Sequence, residues 1–208
     1  MPNSRSAEAA ENTAGRILDV AERLIQTKGF NAFSYADIAS ELGVTKASLH
    51  YHFATKALLG VRIVERYAAN FEGALHAITH RERASASKLR AYIDLYEGVL
   101  RHGRMCLCGM LAADLETLSP ETRERLQAFF DMNERWLAAL LEHGRAAGEL
   151  KFEGTAIHEA RYLVGGLEGA MLIARSYGDP GRFSATASRI LAALVVSKPA
   201  PRRSRRTQ

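Results

Sequence analysis

No proline stands between Pro2 and Pro120. A span that long without the residue that interrupts the backbone hydrogen-bond ladder is free to run as helix after helix. Apolar residues through it recur with a period near 3.6, which puts them on one face of a helix and not on alternate faces of a strand. Ile17, Val20, Ala21 and Leu24 form the first stripe, closed by Gly29, a residue suited to a helix C-terminus. Ser34, with Asp37 three residues on, has the spacing of a capping box and opens a short helix through Ile38, Ala39 and Leu42. Gly43 stops it, Thr45 caps the next short helix, and Thr55 opens a long one with Leu59, Ile63, Tyr67, Phe71, Leu75 and Ile78 on one side.

The rest of the chain continues the pattern. Leu89, Tyr92, Ile93, Tyr96 and Val99 share a face, "LCGMLAADLETL" reads as a shorter helix, and Ser119-Pro120 starts a helix reaching about Gly148. Two further apolar helices, "AIHEARYLVGGLEGAMLIARSY" and "RFSATASRILAALVV", are separated by "GDPG". The chain is therefore expected to be all-α, with about nine helices. A length of 208 residues at 47% hydrophobic suffices for a small domain joined to a larger, well-cored one. The division expected is 1–56, 57–197 and a basic tail, 198–208.

Charge is informative only when it is placed. The net +5 resides in the tail, where Lys198, Arg202, Arg203, Arg205 and Arg206 face no acid; the other 23 basic residues match the 23 acidic ones. Any case for nucleic acid must therefore come from local arrangement. No apolar run approaches the roughly 20 residues of a membrane span, and the N-terminus lacks the apolar core of a secretory signal. Cys106 and Cys108, one residue apart, cannot staple distant segments, so a reducing cytoplasm is expected.

The stretch "VTKASLHYHFATKALL" gathers hydrogen-bonding side chains on one short helix. Two short helices around "ELGVT" have the lengths and glycine turn of a helix-turn-helix, whose second helix enters the major groove. Leu49 and Phe53, four apart, turn to the core. That leaves Lys46, Ser48, His50 and His52 outward or at the edges.

The run "ILDVAERLIQTKGFNAFSYADIASELGVTKASLHYHFATKALL" resembles the DNA-binding domain of the tetracycline-repressor (TetR) family of transcriptional regulators. The resemblance implies an all-helical homodimer on a palindromic operator in double-stranded DNA, usually repressing, released by a small-molecule effector in the larger domain, with no cofactor. It places Lys46, Ala47 and Ser48 at base-reading and nearby backbone positions and Lys56 at a phosphate-contacting one. Thr45, Tyr51 and His52 belong to the same DNA-facing helix, and Ser34 and Tyr35 become phosphate neighbours. His50 stands where the family usually has Tyr. His52 has an equal structural reading, tying its helix to the next.

The last two helices are apolar on more than one face, and such surface seeks a second partner. The resemblance makes them the dimer interface, with Gly165, Gly166, Gly169, Ala170, Ile190 and Leu194 in it. It places the effector among the central helices, with Tyr92, Tyr96, Met110, Phe130, Trp136 and Tyr162 as candidate lining. "RMCLCGMLAADLETLSPET" resembles a subset with Cys-Leu before the sixth helix, some of whose members respond to electrophiles or unsaturated small acids. Cys106 is then a candidate sensor, its thiolate favoured by a helix N-terminus with Arg104 and His102 near in sequence, and Arg175 a candidate carboxylate partner. The plainer reading of both thiols is small buried hydrophobes.

Other classes carry less. Cys106, Cys108 and His102 form only a thin soft-ligand set, and no metal is expected. A nucleophile elbow, a phosphate-cradling glycine loop and a zinc-binding His pair on a helix were not found, so no enzyme is expected. A non-specific DNA-packaging protein is the alternative, and it predicts equal affinity for any duplex.

Overall fold

The computed structural model describes residues 4–196, with side chains in the first helix from residue 12 onward. The basic tail expected over 198–208 lies outside the described residues. In chain order the helices are α1 (Ser4–Lys28), a single 3-10 turn (Phe30–Ala32), α2 (Tyr35–Leu42), α3 (Lys46–His52), α4 (Lys56–Arg81), α5 (Ser85–Arg101) and α6 (Leu107–Ala113). A second 3-10 turn (Leu115–Thr117), α7 (Pro120–Ala146), α8 (Ala156–Ser176) and α9 (Pro180–Leu194) follow. Among the described residues there is no strand, only an isolated antiparallel bridge between Leu150 and Val195.

The local signals act as their chemistry dictates. Ser34 and Asp37 form the reciprocal capping box at the start of α2, and their bonds hold the Asp37 carboxyl below its ordinary range. Gly43 takes the left-handed conformation, φ 66°, in which a Cβ is penalised. The hydroxyls of Thr45, Thr55 and Ser119 accept the N–H groups of Ser48, Leu58 and Thr122 and so cap α3, α4 and α7.

Ile17, Ala21, Ile25, Ile38, Leu49 and Leu59 are fully buried, which packs α1, α2 and α3 around one small centre. The larger part is a layered bundle in which α8 packs on α7 and α9, α5 on α7 and α9, and α4 on α7. The two parts share a continuous apolar core. Polar ties also cross between them: Arg66 on α4 pairs at 2.8 Å with both Asp19 and Glu22 on α1.

Candidate DNA interface and effector cavity

On α3, Leu49 is fully buried and Phe53 nearly so, and this anchors the helix by one side. Thr45, Lys46, Ala47, His50 and Tyr51 are exposed, and Ser48 and His52 half-buried. Tyr51 stands 81% in solvent, unusual for an aromatic ring with a core beside it. Its ring meets His52 edge-on at 5.1 Å. His50 lies over Tyr35 at 4.8 Å, with Nδ1 3.1 Å from the Ala54 carbonyl.

Two of the expected phosphate neighbours have other partners. Tyr35 is buried, and its hydroxyl donates to the Phe53 carbonyl at 2.8 Å. Burial pushes that hydroxyl up to about 12. Tyr35 thus fastens α2 to the end of α3 and is corrected from a contact residue to a scaffold one. Lys56 is half-buried; its ammonium donates to the Phe33 carbonyl and lies 4.2 Å from the Phe33 ring centroid and 4.8 Å from that of Phe30. Burial draws its pKa down. Ser34 remains exposed, its hydroxyl donating to Asp37.

Within the larger part, a cavity of about 200 Å³ is lined by Tyr67, Phe71, Leu95, Tyr96, Cys106 and Met171, among others. Glu22 and Asn70 also border it and are shared with a polar cleft of about 500 Å³ between α1 and α4. Of the expected effector residues, Tyr96 and Cys106 line this space. Tyr92 lies behind it, fully buried, bonded to the Tyr96 hydroxyl at 3.1 Å and to Asn133 at 3.2 Å, and stacked on Trp136 at 5.6 Å. Trp136 turns its N–H to Thr79 on α4. Phe130 packs edge-on against Phe129.

The other expected effector residues Met110, Tyr162 and Arg175 do not line this cavity. Tyr162 is 63% exposed on the outer side of α8. Arg175 donates to the carbonyls of Gln26 and Thr27 at the C-terminus of α1 and lies 3.2 Å from the Met110 sulfur. Both Arg175 and Met110 therefore belong to the junction with the DNA-binding part. A cation at a helix C-terminus is well placed.

Cys106 and Cys108 are buried free thiols. Burial, and then the nearby Glu168 carboxyl for Cys106 or the Cys106 sulfur for Cys108, push both thiols well above their ordinary values. The expected thiolate-favouring environment is thus reversed. His102 is exposed with Nδ1 on the Gly98 carbonyl, apart from any thiol cluster. His76 and His80, a pair four apart that the sequence reading passed over, face each other on α4 with their Nε2 atoms 3.0 Å apart. Among the described residues no group of three or more His, Cys, Asp or Glu is disposed to hold a metal.

The residues expected at the dimer interface do not all face outward from the protomer. Ala170, Ile190 and Leu194 are buried within the protomer, and Gly166 meets the Ile190 side chain, bringing α9 against α8. Gly165 and Gly169 are exposed and open to space. The outward stripe of α8 is Tyr162, Gly165, Gly169, Leu172 and Ile173, with the two aliphatic residues 58% and 53% exposed. Ala185, Ser188, Ala192 and Ala193 are the exposed small residues of α9 beside it.

Glu168, absent from the sequence-based candidates, is the carboxylate nearest this cavity's thiol. It is a hydrogen-bond neighbour of Cys106, and burial pushes its carboxyl up to about 7. Nothing in the sequence distinguishes it from a solvated glutamate. Tyr67 and Phe71 were visible as a core stripe, but their cavity faces were not.

Comparison with known proteins agrees with this architecture. Residues 17–60 match the family model for bacterial regulatory proteins of the tetR family. Residues 85–190 match that for the tetracyclin repressor-like C-terminal domain. A crystal structure of a TetR-family regulator from Agrobacterium tumefaciens superposes with a TM-score of 0.87 at 33% identity, covering 90% of this chain and all of that one. The regulator CymR of Pseudomonas putida is 28% identical over 66% of this chain and 70% of its own. The repressor NemR of Escherichia coli K12 is 28% identical over 79% and 84%. The chain belongs to the TetR family of helix-turn-helix transcriptional regulators.

Among the described residues, no helix is long and apolar enough to cross a membrane.

Proposed function

We propose that this chain is an effector-released repressor: two copies pair through the outward faces of α8 and α9, offer α3 twice to a palindromic operator, and let go when a small molecule fills the cavity. The exposed row of α3 carries this reading. Lys46, Ala47 and Tyr51 stand in solvent while Leu49 holds the helix from behind. Lys46 and Ser48 are then base-edge readers, Tyr51 and His50 flank them, and Lys56 and Ser34 stand near phosphate. The paired heads must lie about 34–36 Å apart to meet successive turns of the duplex.

A route from cavity to DNA is supported by contacts at α1. Cys106 lines the cavity, and its neighbour Met105 donates its N–H to the Gln26 carbonyl at 3.1 Å. Met171 lines the cavity one helical turn before Arg175, which donates to the same carbonyl and to Thr27. A ligand that moves α6 or α8 therefore moves the end of α1. To invert a 99:1 preference, it must favour the released state by about 5.5 kcal/mol. A buried, proton-holding Cys106 favours a reversible ligand over an electrophile trapped by a thiolate.

Titration of labelled duplexes tests the reading: a regulator binds one palindrome far more tightly than a scrambled duplex at the same salt. Equal affinity for both contradicts it and leaves the packaging alternative.

A further inference from the structure

Two imidazoles on α4 have no part in the DNA-facing row or in the lining of the cavity. His76 and His80 are four apart and both exposed, and their Nε2 atoms face each other at 3.0 Å. Residues at i and i+4 share one face of a helix, so the backbone itself sets this approach. Packing does not require either ring. Leu75 and Ile78 are buried and fasten the helix from its other side.

Two ring nitrogens held this way can share one proton or one cation. A neutral pair shares a proton as an N–H donor facing an acceptor lone pair. Imidazole is equally a ligand for zinc, copper and nickel. With metal–nitrogen bonds of about 2.0–2.1 Å, the 3.0 Å separation corresponds to an N–metal–N angle of roughly 90–97°. That is the angle between neighbouring corners of a tetragonal or octahedral centre. A tetrahedral zinc centre needs about 109°, which would part the nitrogens to about 3.3–3.4 Å. The spacing therefore suits copper(II) or nickel(II), which take tetragonal sites, ahead of zinc.

The surroundings admit positive charge. Glu72 is exposed one turn before His76, and Arg81, beside His80, is paired with Glu82 at 2.9 Å. The pair lies in the last two turns of α4, where the free carbonyls of the helix end favour a cation.

We propose that His76 and His80 bind one divalent late first-row transition ion, copper(II) or nickel(II), through their two Nε2 atoms, with water in the remaining positions. The ring that carries its proton on Nε2 passes it to its own Nδ1 through solvent, so both rings stay neutral and each offers a lone pair. Among the described residues no third His, Cys, Asp or Glu joins them, which leaves the site open and its ion exchangeable. Thr79, next to His80, accepts the indole N–H of Trp136 on α7 at 3.1 Å. Trp136 is the only tryptophan of the chain, and a paramagnetic ion this close quenches its emission.

The full-length chain, free of any affinity tag, is titrated with nickel(II) chloride, read by calorimetry and by tryptophan fluorescence, with zinc and magnesium chlorides in parallel. The expected result is one nickel ion per chain with quenching, weaker binding of zinc, and no response to magnesium, which prefers oxygen ligands. His76→Ala and His80→Ala should each weaken nickel binding at least tenfold, because one imidazole alone is no chelate. Both side chains are exposed, so metal-free unfolding curves should match the wild type, and nickel should raise the Tm of the wild type alone. Absence of nickel binding, equal binding of magnesium, or wild-type affinity in either variant overturns the proposal. Zinc bound more tightly than nickel overturns the assigned geometry.

Discussion

The Asp114 carboxylate accepts the backbone N–H of Phe30 at 2.7 Å across 84 residues of sequence, joining the end of α6 to the turn that follows α1. Its other oxygen takes the Asn31 amide at 3.1 Å, and Thr117 takes a second bond from the same amide. With Arg175 on the last carbonyls of α1, both free ends of the junction are held: a donor meets the exposed acceptors and an acceptor meets the exposed donor. The DNA-binding unit is thereby hung from α6 and α8, and Cys106, just before α6, and Met171 on α8 also line the cavity.

Asp114→Ala removes a charge-assisted bond and strands the Phe30 N–H. Stability should fall by about 1.5–3 kcal/mol, measured by urea unfolding. The ligand concentration needed to release operator should rise, because the junction no longer transmits the full displacement. An unchanged release curve contradicts the coupling.

Lys56→Ala removes a donor to Phe33 and a cation above two rings, together with the charge proposed to stand near phosphate. Binding should weaken for operator and random duplex alike, with the salt slope reduced by about one. Unlike a pure surface contact, it should also cost stability, on the order of 1 kcal/mol. Fluorescence anisotropy over a salt series, paired with thermal unfolding, separates the two effects.

Ile173→Glu places a charge on the exposed stripe of α8. Sedimentation should show the wild type paired and this variant a folded single subunit, and operator affinity should collapse because one reading head makes half the contacts. A stable dimer from this variant would move the interface elsewhere.

Glu168 gives the pH dependence a sign. Its folded value, about 7, lies above the ordinary 4.5, so the folded state retains the proton longer than the unfolded one. Its favourable contribution is complete below about pH 4.5, declines between there and 7, and is flat above. At roughly 1.4 kcal/mol per unit, the decline is on the order of 3 kcal/mol. Glu168→Gln should gain on the wild type across that window when unfolding free energies are compared at pH 5 and pH 8. A pH-independent difference contradicts the assignment.

Elements were legible wherever one residue's backbone chemistry decides. Ser34 with Asp37, Gly29, Gly43 and Pro120 all mark boundaries the structure keeps. Rotation about a helix axis was less legible when both faces are apolar. Gly169 and Ala170 differ by one position, about 100° of helix, yet one faces solvent and the other the protomer core. Arg175 and Glu168 were illegible for another reason. Their surroundings are built from α1, α4 and α6, far away in the chain, and a lone charge in a helix reads as solvated until its neighbours are known.

The most direct measurement selects binding sites from random duplex DNA with the wild type and with the Lys46→Ala, Ser48→Ala double variant. The wild type should enrich one two-fold symmetric sequence, and the variant should lose or alter the bases of each half-site while remaining paired and folded. Enrichment of no sequence by the wild type, or of the same sequence by both proteins, would contradict the assignment of α3 as the reading helix.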